Sequence, residues 1–403
     1  MTPSRLIELT EYKRCSLGAD LLSDAEGEEL WRSFGSRISV EFPSPKTKGQ
    51  WELTSQGWVG LVPLNDRLRL QLLPRIPLQN LFAMWEYAYK LDETRLPGLV
   101  DSDSIEDFYS RLAGVLAKRI LLRLRKGIYK SYRGEADELG YVRGALDFRD
   151  RMKAPWKPSL LCDFEEHTPD IVDNQILAWT LFSIARSGLC RSDSLGLVQS
   201  AYRRIASSVS LEPHGAEACS DRLYDRLNED YQPLHALCSF FLAHSGPHYL
   251  AGKNRMIPFL FEMPRLYEMF VAEWLLAHKS EGLNFEPHCR VTPDGENGMT
   301  FDIDIVLRDA SEVPLCVLDT KYKTDAPSTQ DVYQVVTYAL SMGCEQAFLV
   351  YPMELSSPLD ISIGPASPIR VTAVGFDISG DLGASGARFL EQVVATMKGR
   401  EVS

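Results

Sequence analysis

Asp302, Asp304, Asp319 and Lys321 fall within a single stretch, Phe301 to Lys321, which reads FDIDIVLRDASEVPLCVLDTK. Two apolar runs flank a short charged connection, and each run carries acids where a buried strand tolerates few. Strand side chains alternate with a period of two, so Asp302 and Asp304 share one face, and Val317, Asp319 and Lys321 share another. Charges set in continuous apolar runs are costly to bury unless they are paired or hold a metal. A hairpin that brings Asp304, Asp319 and Lys321 together satisfies both requirements. Two such carboxylates can supply part of the oxygen shell of Mg²⁺, or of Mn²⁺ in its place. A cation there polarises a phosphoryl oxygen and acidifies a bound water. Lys321 can orient or deprotonate that water, or neutralise developing charge. The backbone carbonyl of Thr320 is a further potential ligand, and Glu268, on a neighbouring helix, can bind the metal or hold the lysine. The bland alternative for an Asp-x-Lys pair is a solvated surface ion pair.

The elements that must position these groups are legible around them. Pro264 to Lys279 (PRLYEMFVAEWLLAHK) is an amphipathic helix with Pro in its first turn, and Glu268 lies at the margin of its apolar stripe. Ser328-x-x-Asp331 opens a helix that Gly343 ends, with Gln334 and Tyr338 on one face. Strand 313–319, helix 329–342 and strand 347–351 form a βαβ unit with a right-handed crossover. Strand 369–376 and helix 387–397 close the chain.

Upstream, residues 1 to about 76 read as β-rich, with strands over 37–42, 50–64 and 67–73. Helices follow over 78–91 and 105–130. The segment 111–133 carries Arg111, Lys118, Arg119, Arg123, Arg125, Lys126, Lys130 and Arg133 and no acid. That pattern suits contact with a phosphate backbone or an acidic partner, and equally a solvated helix face. A strand is expected over 141–150, and helices over 173–187, 193–207, 216–227 and 231–244. The fold class is therefore α+β or α/β and multidomain. It has a β-rich region over 1–95, a mainly helical region over 96–245, and a mixed sheet flanked by helices over 246–403.

Composition excludes several classes. With 45% apolar and 24% charged residues the chain is ordinary globular protein. No apolar run is long enough to span a membrane and the N-terminus lacks a signal-peptide core, so a cytoplasmic location is expected. The eight cysteines include no C-x-x-C pair, which argues against a zinc ribbon or disulfide framework. His244 and His248 are separated by Ser-Gly-Pro, and a zinc site with His235 is not expected. A net charge of −12 argues against indiscriminate coating of nucleic acid. GPHYLAGKN (246–254) is one residue too long for a Walker A loop and has Asn where Ser or Thr would hold Mg²⁺, so this chain binds no nucleotide itself.

Asp304-Ile-Val-Leu followed by Asp319-Thr320-Lys321 resembles the PD-(D/E)xK nuclease pattern, and Gln334-x-x-x-Tyr338 resembles the Q-x-x-x-Y element of its RecB-like branch. More widely, GWVGLVPLNDRLRLQLLPRIP (57–77), GIYKSY (127–132), YVRGALDF (141–148), NQIL (174–177), RLYEMFV (265–271), LDTKYK (318–323) and DVYQVVTYAL (331–340) resemble McrC. McrC is the nuclease subunit of McrBC modification-dependent restriction systems. The resemblance implies a PD-(D/E)xK nuclease core over 246–403. It further implies a metal-dependent endodeoxyribonuclease, acting on double-stranded DNA that carries modified bases, with Asp304, Asp319, Lys321 and Glu268 catalytic. Asp304, Asp319 and the Thr320 carbonyl would hold the metal. The usual Pro before the first aspartate is Ile303 here, so Asp302 is the alternative ligand. Gln334, Tyr338, Tyr322 and Lys323 would contact DNA or support the site. It also implies that the N-terminal region binds an AAA+ GTPase hexamer and stimulates it. Two other readings are a chiefly non-catalytic assembly and GTPase-activating subunit, and a stand-alone RecB-like repair nuclease.

Overall fold

A computed structural model describes residues 5–64, 68–89, 104–146, 148, 152, 156–220, 222–244, 258–278, 282–292, 300–355, 359–364 and 368–398. The chain divides into two compact units. One joins Met1–Ile105 with Phe259–Ser403, and the other is Glu106–Pro258. The expected boundaries near 95 and 245, and the 246–254 stretch, lie outside the described residues, as does His248.

The first unit opens with β1 (Arg5–Thr10), β2 (Arg14–Leu17), helix α1 (Asp24–Phe34), β3 (Ile38–Glu41), β4 (Trp51–Ser55), β5 (Trp58–Pro63), β6 (Leu68–Leu73) and helix α2 (Leu78–Ala88). β2, β4 and β3 make an antiparallel three-stranded sheet. Helix α1 corrects a purely β-rich reading of this region. Ser23 caps it through a reciprocal box with Glu26, satisfying amide donors that its first turn leaves free. Mid-helix Gly27 is there for space: a Cβ would lie 2.3 Å from the Trp51 ring. Leu30, Phe34, Trp51, Leu53 and Leu70 form the core beneath.

The second unit begins with the long helix α3 (Ile105–Lys126). It stops four residues before the expected end, because Gly127 turns the backbone to a φ of 105°, outside the helical region. β7 (Ser131–Leu139), β8 (Ala145–Leu146) and β9 (Leu160–Thr168) form a largely exposed sheet. Among the described residues of the strand expected over 141–150, only the two of β8 are strand; Asp147, Arg149 and Asp150 lie outside the described residues. Helices α4 (Val172–Ser187), α5 (Ser192–Ile205) and α6 (Gln232–His244) follow. The helix expected over 216–227 is only a 3₁₀ turn, Ala216–Cys219. The Asp225 amide instead donates to Asn228 Oδ1 at 2.7 Å, and such side-chain bonds compete with helix formation. Buried Asn174 of α4 donates to the carbonyls of Tyr129 and Pro169 and accepts from the Tyr231 hydroxyl. His235 contacts the Tyr224 hydroxyl and the Asp173 carbonyl.

The chain then returns to the first unit with β10 (Phe259–Glu262), which pairs antiparallel with β5 and completes a sheet of order β1-β6-β5-β10. Helix α7 (Met263–Ala277) follows, with Pro264 in its first turn. β11 (Leu283–Val291), β12 (Phe301–Asp309), β13 (Pro314–Thr320), helix α8 (Thr329–Met342), β14 (Gln346–Tyr351), β15 (Asp360–Ile363), β16 (Ile369–Gly375) and helix α9 (Leu382–Lys398) complete it. The six-stranded sheet runs β11-β12-β13-β14-β16-β15 and is mixed, with β13, β14 and β16 parallel. Helix α8 is the crossover between β13 and β14. Ser328 and Asp331 cap its start, and Gly343 ends it in the left-handed region at φ 68°. Val332, Val335 and Ala339 of α8 pack on Ile303, Val317, Ala347 and Val371. Elsewhere Phe376, just past β16, meets Phe270 and Trp274 of α7 and Phe389 of α9. Helix α9 starts five residues before the expected 387; Gly383 and Gly386 hid its first turn, and Gly386 makes room for the Trp274 ring.

Candidate active site

β12 and β13 run antiparallel in the register Ile305↔Leu318 and Val306↔Val317, which sets Asp304 beside the end of β13. Thr320 donates to Asp304 Oδ2 twice, from its backbone nitrogen and from its hydroxyl, each at 2.7 Å. Asp319 is 1% exposed. Its buried Oδ2 lies 2.5 Å from Lys321 Nζ, a charge contact without a well-directed hydrogen bond. Lys321 Nζ also donates to Gln334 Oε1 at 3.0 Å, and Gln334 Nε2 donates to the Tyr338 hydroxyl at 2.8 Å. Gln334 and Tyr338 are thus one relay along α8, four residues apart.

Asp304, Asp319, Thr320, Lys321 and Gln334 line a cleft of about 390 Å³ together with Glu262, Arg265, Glu268 and His288, with Tyr338 behind Gln334. Glu268 Oε1 is 3.3 Å from His288 Nδ1. Sequence reasoning missed His288, Glu262 and Arg265. His288 sits where the β11–β12 register steps from Pro287↔Ile305 to Cys289↔Ile303, and its φ of 52° is unusual for a non-glycine residue. A Pro-His pair interrupting the polar–apolar alternation of LNFEPHCRV was the available signal.

Asp302 goes elsewhere. Its side chain is 69% exposed and accepts from Arg290 Nε at 2.8 Å. Tyr322 and Lys323 also turn from the cleft. The Tyr322 hydroxyl donates to Glu11 Oε1 at 2.6 Å, and the Lys323 ammonium pairs with Asp331.

The electrostatics favour an added positive charge. Burial, and then the Asp304 carboxylate, push the Asp319 carboxyl up to about 7. Burial, and then Glu268, raise Asp304. The Glu268 hydrogen bond raises His288. Carboxylates that raise one another are relieved by a cation between them. Among the described residues no three His, Cys, Asp or Glu side chains stand in a ready-made metal-holding group. Two carboxylates nonetheless fit Mg²⁺, which takes one or two from protein and completes its octahedron with water and phosphate.

The fold and the cleft together define a mixed α/β protein with carboxylates and an ammonium group gathered where one strand of its sheet ends. The chain belongs to the McrBC 5-methylcytosine restriction system component family, whose model matches residues 53–352. A refined half-complex from a tetradecameric assembly of Thermococcus gammatolerans McrB AAA+ hexamers with bound McrC shares its fold. The TM-score is 0.56 at 16% identity, covering 96% of this chain and 100% of that one. The cryo-EM structure of the Thermococcus gammatolerans McrBC complex is matched at TM-score 0.43 and 16% identity, over 69% of this chain and 90% of that one. No curated protein matches. Among the described residues no helix is long and apolar enough to cross a membrane.

Proposed function

We propose that this chain is the Mg²⁺-dependent DNA endonuclease subunit of a cytoplasmic McrBC-type restriction system, with a PD-(D/E)xK core over 246–403. The observation that carries the reading is the meeting of Asp304, Asp319, Lys321 and Glu268 in one cleft. Asp304 and Asp319, with the Thr320 carbonyl, would hold the cation, and Mn²⁺ fits the same oxygen set. When bound, the metal supplies Lewis-acid polarisation of a phosphoryl oxygen and a more acidic water. The chain's own groups do the rest. Thr320 fixes the rotamer of Asp304. Asp319 and Gln334 hold Lys321 Nζ, which offers a proton donor to the developing negative charge on phosphate. Glu268 and His288 form a second acid–base pair at the same cleft.

The related McrC is bound to McrB AAA+ hexamers. By that analogy this chain binds an AAA+ GTPase hexamer through its N-terminal region, residues 1–95, and stimulates its hydrolysis, the partner recognising the modified base. Exposed Tyr132, Tyr141 and Trp156, at 68%, 63% and 78%, favour an assembly role for the second unit as well. The basic helix supports contact with DNA. Arg111 and Arg123 of α3 pair with Asp107 and Asp230, and Arg133, on β7, pairs with Glu135; Arg119 and Lys126 form no ion pair among the described residues and line one groove with Arg123 and Asp230.

The test is cleavage of modified duplex DNA by the chain with its GTPase partner, GTP and Mg²⁺. Asp319→Ala and Lys321→Ala lower cleavage by roughly a hundredfold or more while the complex still assembles and hydrolyses GTP. Full cutting by both variants overturns the assignment.

A further inference from the structure

The turn after β1 buries a carboxylate that the chemistry above does not use. Glu11 is 0% exposed. Its backbone is fixed, with its amide donating to the Leu73 carbonyl at 2.9 Å and the next amide, of Tyr12, donating to Ser55 at 2.8 Å. Burying a carboxylate is unfavourable unless donors compensate it, and burial raises this one. The compensation comes from two places. Glu11 Oε1 accepts from the Arg75 amide at 3.0 Å and from the Tyr322 hydroxyl at 2.6 Å. Arg75 braces the same turn: its Nε donates to the Glu11 carbonyl at 3.2 Å, and its guanidinium lies over the Tyr12 ring at 4.5 Å.

Tyr322 directly follows Lys321. The Lys321 amide donates to the Val350 carbonyl at 2.8 Å, and the Lys323 amide donates back to the Lys321 carbonyl at 2.9 Å, forming a tight turn with Tyr322 at its apex. Three consecutive side chains are tied to three elements: Lys321 to the cleft, Tyr322 to the β1 turn, and Lys323 to Asp331 at the start of α8.

We propose that Glu11 is a positioning residue for Lys321: it clamps the apex of the Lys321–Lys323 turn through the Tyr322 hydroxyl, so that the Lys321 ammonium stays beside Asp319 and Gln334. This rests on the endonuclease reading of the cleft. It makes the N-terminal sheet a working part of the nuclease site and not only a surface for a partner.

Tyr322→Phe removes a single oxygen and leaves the ring against Tyr267. In the full complex, its single-turnover cleavage rate falls roughly 10- to 100-fold with the half-saturating DNA concentration nearly unchanged, while Tm falls by only a few degrees because buried Glu11 loses one of its two donors. Glu11→Ala gives the same loss, Glu11→Gln keeps an acceptor and restores the rate, and Glu11→Ala combined with Tyr322→Phe is no worse than either alone. A second readout needs no activity: acylation of Lys321 by acetic anhydride, followed by peptide mass spectrometry, rises severalfold in Tyr322→Phe. A wild-type rate with unchanged Lys321 labelling in Tyr322→Phe overturns the inference, as do additive losses in the double variant. If the wild-type complex itself cuts no DNA, the endonuclease reading fails first, and the labelling comparison still decides whether Glu11 positions Lys321.

Discussion

Asp304 takes two hydrogen bonds on one oxygen from a single residue, Thr320, through its amide and its hydroxyl. A carboxylate so held has one oxygen spoken for and the other fixed in direction. Groups that orient a metal ligand in this way commonly matter nearly as much as the ligand itself.

Thr320→Val keeps the side-chain shape and removes the hydroxyl donor. Binding of Mn²⁺ or Mg²⁺, measured by titration calorimetry, weakens roughly tenfold. Stability falls by about 1 kcal/mol, since the amide donor remains. Unchanged metal affinity means that the Thr320 hydroxyl orients no metal ligand.

Asp319 has its folded-state value raised, to about 7, against an ordinary aspartate value of 3.8. Proton counting sets the direction of its effect on stability. Below the ordinary value both states are protonated and no penalty exists. Between the two values the unfolded chain ionises first, so stability falls as pH rises, reaching its full penalty above about 7. In metal-free protein, the Tm gain of Asp319→Asn over wild type is therefore larger at pH 8 than at pH 5. A gain equal at both, or reversed, contradicts the crowding of Asp319 by burial and Asp304.

Arg119 and Lys126 line one groove of the second unit, and the proposed contact of this helix with DNA makes them matter for affinity and not for chemistry. Replacing both with Ala weakens duplex binding uniformly across sequences and reduces the slope of log affinity against log salt by roughly 2, about one for each phosphate no longer neutralised. Fluorescence anisotropy across a salt series measures it, and an unchanged slope assigns this helix face to solvent.

Gly27→Ala tests the fit of α1 against the core. Alanine normally favours a helix over glycine by about 1 kcal/mol. Here the added methyl meets the Trp51 ring at 2.3 Å. The net effect is destabilisation by about 1–3 kcal/mol, read from denaturant unfolding.

Much of the cleft could be read from sequence because its parts are local. The alternation of 301–309, the apolar run ending at Asp319, the Ser328–Asp331 box and the Gly343 stop each act within a few residues and reappear as β12, β13 and α8. Where reading failed, the deciding contact was distant or the pattern was not apolar. Glu11 and Tyr322 are 311 positions apart, and nothing near either names the other. β7 (SYRGEADEL) is a strand with little apolar alternation, held by its ladder with β9. The 216–227 segment shows the opposite failure, where local Asp and Asn bonds outcompeted a helical pattern. The Ser23–Glu26 box that starts α1 was visible in the sequence and was outweighed by the β-rich composition around it.

The pairing of β5 with β10 carries a consequence for synthesis on the ribosome. Residues 58–63 emerge early, but the strand that covers their free edge is Phe259–Glu262, beyond the whole of the second unit. At ordinary translation speeds that delay is roughly 10 to 40 s. Throughout it, the nascent chain displays an uncapped row of amides and carbonyls, to which neighbouring polypeptides can add a strand.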